Sequence, residues 1–208
     1  MKNSAVEHLS RADKKLAAVI KVVGACSLKP RRGVQPWQAL VRSVAFQQLN
    51  GNAAETIFNR FLALFPEIKF PTPEQIIRVS NQQLRSAGLS GAKTAAIKDI
   101  AAKTISGVVP DRRAITKLSD AEILERLTTI RGVGPWTVEM LLMFTLGRPD
   151  VLPVTDYGVR NGFALLHGLK ELPPPKELLA YGERWRPHRS AAAWYLWRAV
   201  DLARAKAK

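Results

Sequence analysis

A turn with two glycines and a proline is the part of the chain best suited to hold a phosphate. Gly132 and Gly134 permit main-chain angles that other residues resist, so the turn that contains them is very tight. Pro135 fits the first position of a helix, where its missing N–H group costs nothing. The N–H groups of the turn and of the helix start then point at one anion. The pattern predicts a contact that positions a nucleic-acid strand without reading its bases. The alternative is an ordinary corner between two helices with a glycine-rich turn.

A single carboxylate follows this turn along the chain. Asp156 lies in the segment Leu152–Tyr157, just ahead of another predicted helix. A carboxylate beneath C1′ of a nucleotide stabilises the positive charge that develops on the sugar when its bond to the base breaks, and it orients or deprotonates the attacking water. Asp156, or Thr155 beside it, also suits the cap of the helix that starts at Tyr157. On residue type alone the cap is the commoner role, and the two roles are compatible.

The composition favours a polyanionic partner. The 208 residues, of which 47% are hydrophobic, can bury a core, and about one or two domains are expected at this length. Lys and Arg total 32 against 17 Asp and Glu, which gives a formal net charge of +15 and an isoelectric point near 10.4. Such an excess favours nucleic acid, because neutralised phosphates release condensed counterions. A basic protein that charge keeps soluble, or one that binds anionic lipid, is the alternative.

Few residues are available for metal or disulfide chemistry. Cys26 is the only cysteine, which excludes disulfides within the chain and any cluster held by four thiolates. His8, His167 and His188 are too scattered to indicate a zinc site. No signal-peptide pattern and no apolar run of transmembrane length is found. We therefore expect a cytosolic, nucleoid-associated protein, or a nuclear one if the source is eukaryotic.

Helical patterns surround the turn and the acid, and they predict an all-α fold. Ser80 with Gln83, and Ser119 with Glu122, form capping boxes that mark helix starts. No alternating strand of convincing length is found. Apolar residues at helical spacing, or start and stop residues, predict helices over Ser10–Val23, Pro36–Leu49, Ala53–Phe65, Pro135–Leu146 and Arg189–Ala203.

Three blocks of sequence resemble one protein family, in that family's order. The strongest is Ile130–Phe163, which contains the glycine turn and Asp156; the weaker two are Val44–Leu49 and Glu183–Ser190. Together they resemble the helix-hairpin-helix (HhH-GPD) DNA glycosylase superfamily, and within it the DNA-3-methyladenine glycosylase II branch without the N-terminal β domain of some relatives. The resemblance implies two helical subdomains that flank a catalytic cleft. One would comprise residues 36–148, with the hairpin at about 119–147, and the other residues 1–35 plus 149–208, with the catalytic acid.

The resemblance also implies a reaction. Asp156 takes the position of the family's catalytic acid. Trp136 stands where the bifunctional branch has a lysine that attacks the sugar, so a monofunctional glycosylase that leaves an abasic site is expected. Neither the iron–sulfur cluster of other branches nor zinc is expected, and we expect no cofactor.

Further residues match the family's base pocket. Trp136, Tyr157 and Trp197 match its aromatic residues, and Met140 stands where some relatives have another aromatic side chain. Ring faces attract a cationic base such as 3-methyladenine or 7-methylguanine, once that base has left the stack. The alternative is that these rings are helix-core residues. Glu139 is either an acid of the pocket or a surface charge, and the surface position is favoured.

Other positions match the family's DNA contacts. Gln48 stands where relatives insert a side chain into the gap left by the extruded base; the alternative is that Gln47 and Gln48 are a water-exposed pair at a helix end. Lys93, Arg160, Arg184 and Arg189 are open to both phosphate-binding and ordinary structural or solvent-exposed roles. The implied phosphate ligands are Arg131, Gly132, Val133, Gly134, Trp136 and Thr137, and the implied ligands of a monovalent cation are the backbone carbonyls of Thr128, Ile130 and Val133.

These features favour a monomeric enzyme that removes alkylated bases from double-stranded DNA and has no membrane association. One alternative is a non-catalytic hairpin module that recognises distorted duplex, which leaves Asp156 and the aromatic residues without a role. Another is a glycosylase for deaminated or oxidised bases.

Overall fold

The computed structural model describes residues 2–206, and the side chains of residues 4–205. Over that range the chain forms helices joined by turns and contains no strand, which confirms the all-α prediction. The first helices are α1 (Lys2–Ala12), α2 (Lys14–Val23), α3 (Pro36–Phe46), α4 (Gly51–Ala63), α5 (Pro73–Arg78), α6 (Asn81–Ser86) and α7 (Gly91–Ile105). They are followed by α8 (Arg112–Ile115), α9 (Asp120–Thr128), α10 (Pro135–Leu141), α11 (Tyr157–His167), α12 (Pro175–Gly182) and α13 (Arg189–Lys206).

Side-chain caps start several of the helices, and two capping boxes lie where the sequence predicts them. Glu122 accepts the main-chain N–H of Ser119 at 2.7 Å, and the Ser119 hydroxyl accepts the N–H of Glu122 at 3.2 Å, which closes the capping box of α9. Ser80 and Gln83 form the same box at α6. Each box satisfies N–H groups that no helical carbonyl reaches.

Several helix boundaries differ from the prediction. The segment Ser10–Val23 is interrupted at Asp13, whose carboxylate caps α2 and is only 4% exposed. Its second oxygen accepts the Tyr181 hydroxyl and the Trp185 indole N–H, both at 3.2 Å, so tertiary contacts fix the break. In addition, α3 ends at Phe46 rather than Leu49, and α10 gives way at Leu142 to a π-helical turn.

Two units make up the described chain. The hairpin unit comprises Arg31–Leu141, and the Asp156 unit comprises the described residues up to Pro30 and from Leu142 onward. Each unit has its own buried apolar residues, and their removal from water is the main driving force for folding. The hairpin unit buries, among others, Leu40, Phe61, Ile97 and Leu127, and the Asp156 unit buries Leu16, Val159, Trp185, Tyr195 and Leu196.

Within residues 2–206, no helix combines the length and the apolar character that crossing a bilayer requires.

Candidate active site

Asp156 is the N-cap of α11. Its Oδ1 atom accepts the main-chain N–H of Val159 at 2.8 Å and the indole N–H of Trp197, also at 2.8 Å. The carboxylate is half-buried. Two donors on one oxygen fix the plane of the group, so capping orients the carboxylate as well as starting the helix.

Trp197 reaches Asp156 because neighbouring residues leave room for its indole. The ring stacks on Phe144 with centroids 5.8 Å apart and an interplanar angle of 24°. A Cβ atom on Gly158 would lie 2.7 Å from Trp197 Cδ1 and 3.1 Å from Asp156 Oδ1. A side chain at position 158 would therefore push the indole away from the acid.

The two glycines of the hairpin turn serve different purposes. Gly132 has φ of +74°, and a Cβ there would lie 3.0 Å from the Cβ of Ala96. Gly134 has no positive φ, and a Cβ there would meet no atom within 4 Å. The prediction that both glycines supply unusual main-chain angles is wrong for Gly134. The lack of a side chain at this position instead leaves space in which another group can closely approach the main chain at the start of α10.

Two main-chain N–H groups of the turn are not available as the predicted hydrogen-bond donors to a phosphate. The N–H of Arg131 donates to Asp99 at 2.7 Å, and the N–H of Val133 donates to the carbonyl of Ile130 at 3.1 Å. These two amides are already bonded within the protein. The predicted contacts between main-chain N–H groups and a phosphate therefore depend on the other predicted phosphate ligands, at positions 132, 134, 136 and 137.

Two residues of α7 support the turn of the hairpin. Asp99 forms an ion pair with Lys103 at 3.2 Å in addition to its bond to the Arg131 N–H. The Lys103 ammonium donates to the carbonyl of Thr129. Sequence reasoning did not single out this pair, although its i, i+4 spacing was visible.

The predicted cation ligands lie in the same stretch. A carbonyl oxygen has two lone pairs, so Ile130 still has an acceptor site after accepting the Val133 N–H. The carbonyls of Thr128, Ile130 and Val133 thus remain chemically suited to a hard cation, and the cation stays a prediction. In the described part of the chain, no group of three or more His, Cys, Asp or Glu side chains is placed to hold a metal ion.

The turn between α3 and α4 gives the two glutamines opposite roles. Gln48 is exposed and has φ of 57°, the only positive φ of a non-glycine residue among those described. Gln47 is half-buried, and its Nε2 donates to the Gly132 carbonyl at 3.0 Å and to the Thr137 hydroxyl at 3.3 Å. A water-exposed pair is therefore wrong for Gln47.

A groove runs between this turn and the hairpin, within the hairpin unit. Its volume is about 720 Å³. The residues that line it include Arg31, Arg42, Phe46, Gln48, Trp136 and Thr137. Cationic, aromatic and hydrogen-bonding side chains together are the lining expected of a surface that binds nucleic acid.

Comparison with known proteins identifies the family. Residues 41–187 match the model of the HhH-GPD superfamily base excision DNA repair protein. The chain belongs to this superfamily. The matched range contains the α3–α4 turn, the hairpin and Asp156.

Several relatives are similar over nearly their full length. DNA-3-methyladenine glycosylase 1 of Schizosaccharomyces pombe is 43% identical over 199 residues, which cover 94% of this chain and 86% of the relative. The alkylbase DNA glycosidase-like protein mag2 of the same organism is 34% identical over 96% of this chain and 94% of the relative. The structure of S. pombe 3-methyladenine DNA glycosylase (Mag1) in complex with abasic DNA matches with a TM-score of 0.87, over 96% of this chain and 98% of that one.

The predicted pocket residues of this HhH-GPD protein differ in exposure. Tyr157 is 65% exposed and Trp136 is 40% exposed. Met140 and Glu139 are half-buried, so the surface position expected for Glu139 is wrong. Trp197 is half-buried, and its indole N–H donates directly to Asp156.

Two basic residues outside the hairpin have structural roles. Lys93 donates to the Ala45 carbonyl at 2.8 Å at the end of α3, and partial burial lowers the pKa of its ammonium group. Arg189 is 9% exposed and pairs with Asp150 at 2.8 Å and Glu183 at 3.2 Å. Neither a solvent-exposed Lys93 nor a phosphate-binding Arg189 fits these contacts.

Arg160 and Arg184 contact main-chain carbonyls. The guanidinium of Arg160 donates to Pro173 at 3.0 Å. That of Arg184 donates to Tyr181 at 3.1 Å and lies 3.6 Å from the centroid of the Tyr181 ring. Both contacts favour structural roles.

Substitution of Trp197 by Phe tests how Asp156 is oriented. Phe keeps a ring against Phe144 but loses the N–H donor, and a hydrogen bond to a charged group contributes about 1.5–3 kcal/mol. We expect the rate of base release at saturating enzyme to fall by about 10- to 100-fold, with DNA affinity little changed. Trp194→Phe, on the same helix, is the control. A Trp197→Phe rate equal to that of the control would contradict an orienting role.

The hairpin glycines provide a second, matched test. Gly132→Ala should lower the free energy of unfolding by about 1–2 kcal/mol, because alanine resists a positive φ. Gly134→Ala should leave the melting temperature unchanged, because its Cβ meets no atom within 4 Å. It should weaken binding to duplex DNA by about tenfold if the predicted phosphate contact lies at this turn. Melting curves and fluorescence anisotropy separate the two effects. Undiminished DNA binding by Gly134→Ala would remove this turn from the phosphate contact.

Proposed function

We propose that this protein is a monofunctional DNA glycosylase of base excision repair. It hydrolyses the N-glycosidic bond of alkylated bases in double-stranded DNA and leaves an abasic site. The observation that carries this proposal is the carboxylate of Asp156, held by Val159 and Trp197, in an HhH-GPD chain. The relative that is 43% identical is named a DNA-3-methyladenine glycosylase, and the solved relative Mag1 is bound to abasic DNA, the product of such a reaction.

DNA binding starts from charge and main-chain donors. The net charge of +15 attracts the duplex from a distance. The turn at Gly132 and Gly134 and the start of α10 then bind a phosphate and set the position of the strand. Gln48 fills the gap when the damaged nucleotide leaves the stack.

The chemical step needs one carboxylate and one water. As the bond between C1′ and the base nitrogen lengthens, the electron pair leaves with the base and positive charge develops on the sugar. The Asp156 carboxylate stabilises that charge and accepts a proton from the water that attacks C1′. A cationic alkylated base departs as a neutral molecule, so its departure needs no general acid.

We assign the selectivity for cationic alkylated bases to the ring faces of aromatic side chains. Trp136, Tyr157 and Trp197 offer electron-rich rings, and each contact with a cationic base contributes about 0.5–2 kcal/mol. Met140 adds a polarisable side chain where some relatives have a further ring. Because Trp136 replaces the nucleophilic lysine, no Schiff base forms and the DNA strand is not cut.

The reaction as proposed requires no cofactor. One cysteine cannot hold a four-thiolate iron–sulfur cluster, and the charge stabilisation above uses a protein carboxylate. We further propose that the protein acts as a monomer on damaged double-stranded DNA. Its place is then the compartment that holds the DNA, namely the cytoplasm with its nucleoid, or the nucleus in a eukaryote.

Mass spectrometry of the bases freed from methylated genomic DNA tests the proposal. We expect 3-methyladenine and 7-methylguanine in the supernatant and intact strands until the abasic sites are cleaved by alkali. If no base is released from any lesion while abasic DNA is bound tightly, the protein is a non-catalytic binding module. If duplexes with hypoxanthine or 8-oxoguanine are processed faster than methylated ones, the substrate class and the cation–π argument are wrong.

A further inference from the structure

Gln47 links the α3–α4 turn to the hairpin through both hydrogens of its amide. Its Nε2 lies 3.0 Å from the Gly132 carbonyl and 3.3 Å from the Thr137 hydroxyl oxygen. Gly132 belongs to the turn and Thr137 to the first turn of α10, so one side chain holds both parts of the hairpin. An amide nitrogen has only two protons to donate, so this donor group is fully used.

The main chain next to Gln47 is fixed from the other side. The Lys93 ammonium, on α7, donates to the carbonyl of Ala45 at 2.8 Å. The Gln47 N–H itself donates to the carbonyl of Val44 at 3.3 Å. The end of α3 is therefore held by α7 through Lys93 and by the hairpin through Gln47.

Gln48 depends on these attachments for its conformation. A non-glycine residue at φ of 57° is strained, and such a conformation persists only where the surroundings determine it. The peptide bond before Gln48 belongs to Gln47, whose side chain is bonded to the hairpin. The Gln48 side chain is exposed on the groove that Trp136 and Thr137 also line.

We propose that Gln47 is a positioning residue that couples the phosphate-binding hairpin to the insertion of Gln48. This rests on the proposed function, because it takes the hairpin as the phosphate contact and Gln48 as the inserted side chain. When the hairpin binds a phosphate, Gln48 is then held at a fixed distance from the duplex. Loss of the Gln47 amide leaves both parts present but no longer aligned with each other.

A double-mutant cycle on DNA affinity tests the coupling. The variants are Gln47→Met, which has similar length and no donor, Gln48→Ala, and the double substitution. Dissociation constants are measured by fluorescence anisotropy on an undamaged duplex and on one with a tetrahydrofuran abasic site. Gln82→Met, at an exposed glutamine of α6, is the matched control.

Coupling predicts a specific pattern of losses. Each single variant should weaken binding to the abasic duplex by about tenfold and binding to the undamaged duplex by less than about threefold. The double variant should bind the abasic duplex no more weakly than either single variant, within about twofold. Thr137→Val, which removes only one of the two bonds, should show a smaller loss with the same preference for the abasic duplex.

Other patterns overturn the proposal. Additive losses in the double variant would show that Gln47 and Gln48 act separately. An equal loss on both duplexes would make Gln47 a support of the hairpin or the fold only, and no loss would make it dispensable. If Gln47→Met fails to fold, a second cycle that combines Thr137→Val with Gln48→Ala decides between the same outcomes.

The binding cycle keeps this inference separate from the glycosylase proposal. It uses an abasic analogue and needs no base release, so coupled losses in a protein that frees no base would overturn the activity alone. An active glycosylase with additive losses would overturn the coupling alone.

Discussion

Asp156→Asn should abolish base release while leaving DNA binding intact. Asparagine is nearly isosteric and neutral, so it removes the negative charge that opposes the cationic sugar and cannot take a proton from water. Loss of one preorganised electrostatic group and of general-base assistance together predict a fall of about 10³-fold or more, or about 4 kcal/mol in activation free energy. Single-turnover release of 3-methyladenine from methylated DNA measures this effect.

The same substitution separates catalysis from capping. Asparagine caps helices as well as aspartate does, and its amide oxygen can accept the N–H groups of Val159 and Trp197 that now bond Oδ1. The melting temperature and the affinity for an abasic duplex should therefore stay close to wild type. Asp111→Asn, at the N-cap of α8, is the matched control for a capping aspartate. Base release at the wild-type rate in Asp156→Asn would remove this acid from the mechanism.

The predictable parts of the structure are those whose causes lie within a few residues. The capping box of Ser119 and Glu122 is complete within four positions, so the start of α9 could be predicted from sequence. The hairpin turn could be predicted because a glycine, such as Gly132, can adopt a positive φ whatever its neighbours are, and because Pro135 marks a helix start. These local signals, together with a family resemblance, suffice for the fold class and for the position of the acid.

The contacts that were missed join residues far apart in sequence. Trp197 binds Asp156 from 41 positions away, and Gln47 binds Gly132 from 85 positions away. A glutamine next to a helix end has the same local pattern whether it faces water or a distant carbonyl. The helix break at Asp13 has the same cause, since its Tyr181 and Trp185 partners are supplied by the distant end of the chain.

Gly162 shows how the fold of the Asp156 unit brings the acid and its indole partner together. A Cβ at this position of α11 would lie 2.1 Å from the carbonyl oxygen of Leu196 and 2.6 Å from its carbonyl carbon. Both atoms are main chain of α13, so no side-chain rotation relieves the overlap. The absence of a side chain at 162 therefore sets the distance between the helix that Asp156 caps and the helix that carries Trp197.

Gly162→Ala should consequently destabilise the protein and impair catalysis together. Overpacking against a rigid neighbour costs about 1–3 kcal/mol, and contact with main chain places this case at about 3 kcal/mol or above. For a chain of this size that corresponds to a fall of about 6–12 °C in melting temperature. Because Trp197 follows Leu196 directly, the displacement of α13 should also lengthen its bond to Asp156 and slow base release in the molecules that remain folded.

Gly91→Ala is the control for the loss of a glycine from a helix. Gly91 is the first residue of α7, has no positive φ, and has open space where a Cβ would stand. Its substitution should leave the melting temperature unchanged or raise it slightly, because alanine is the better helix former. If Gly162→Ala had the same melting temperature as Gly91→Ala, α11 and α13 could move apart at little cost in free energy. The orientation of Asp156 by Trp197 would then not depend on the close approach of the two helices.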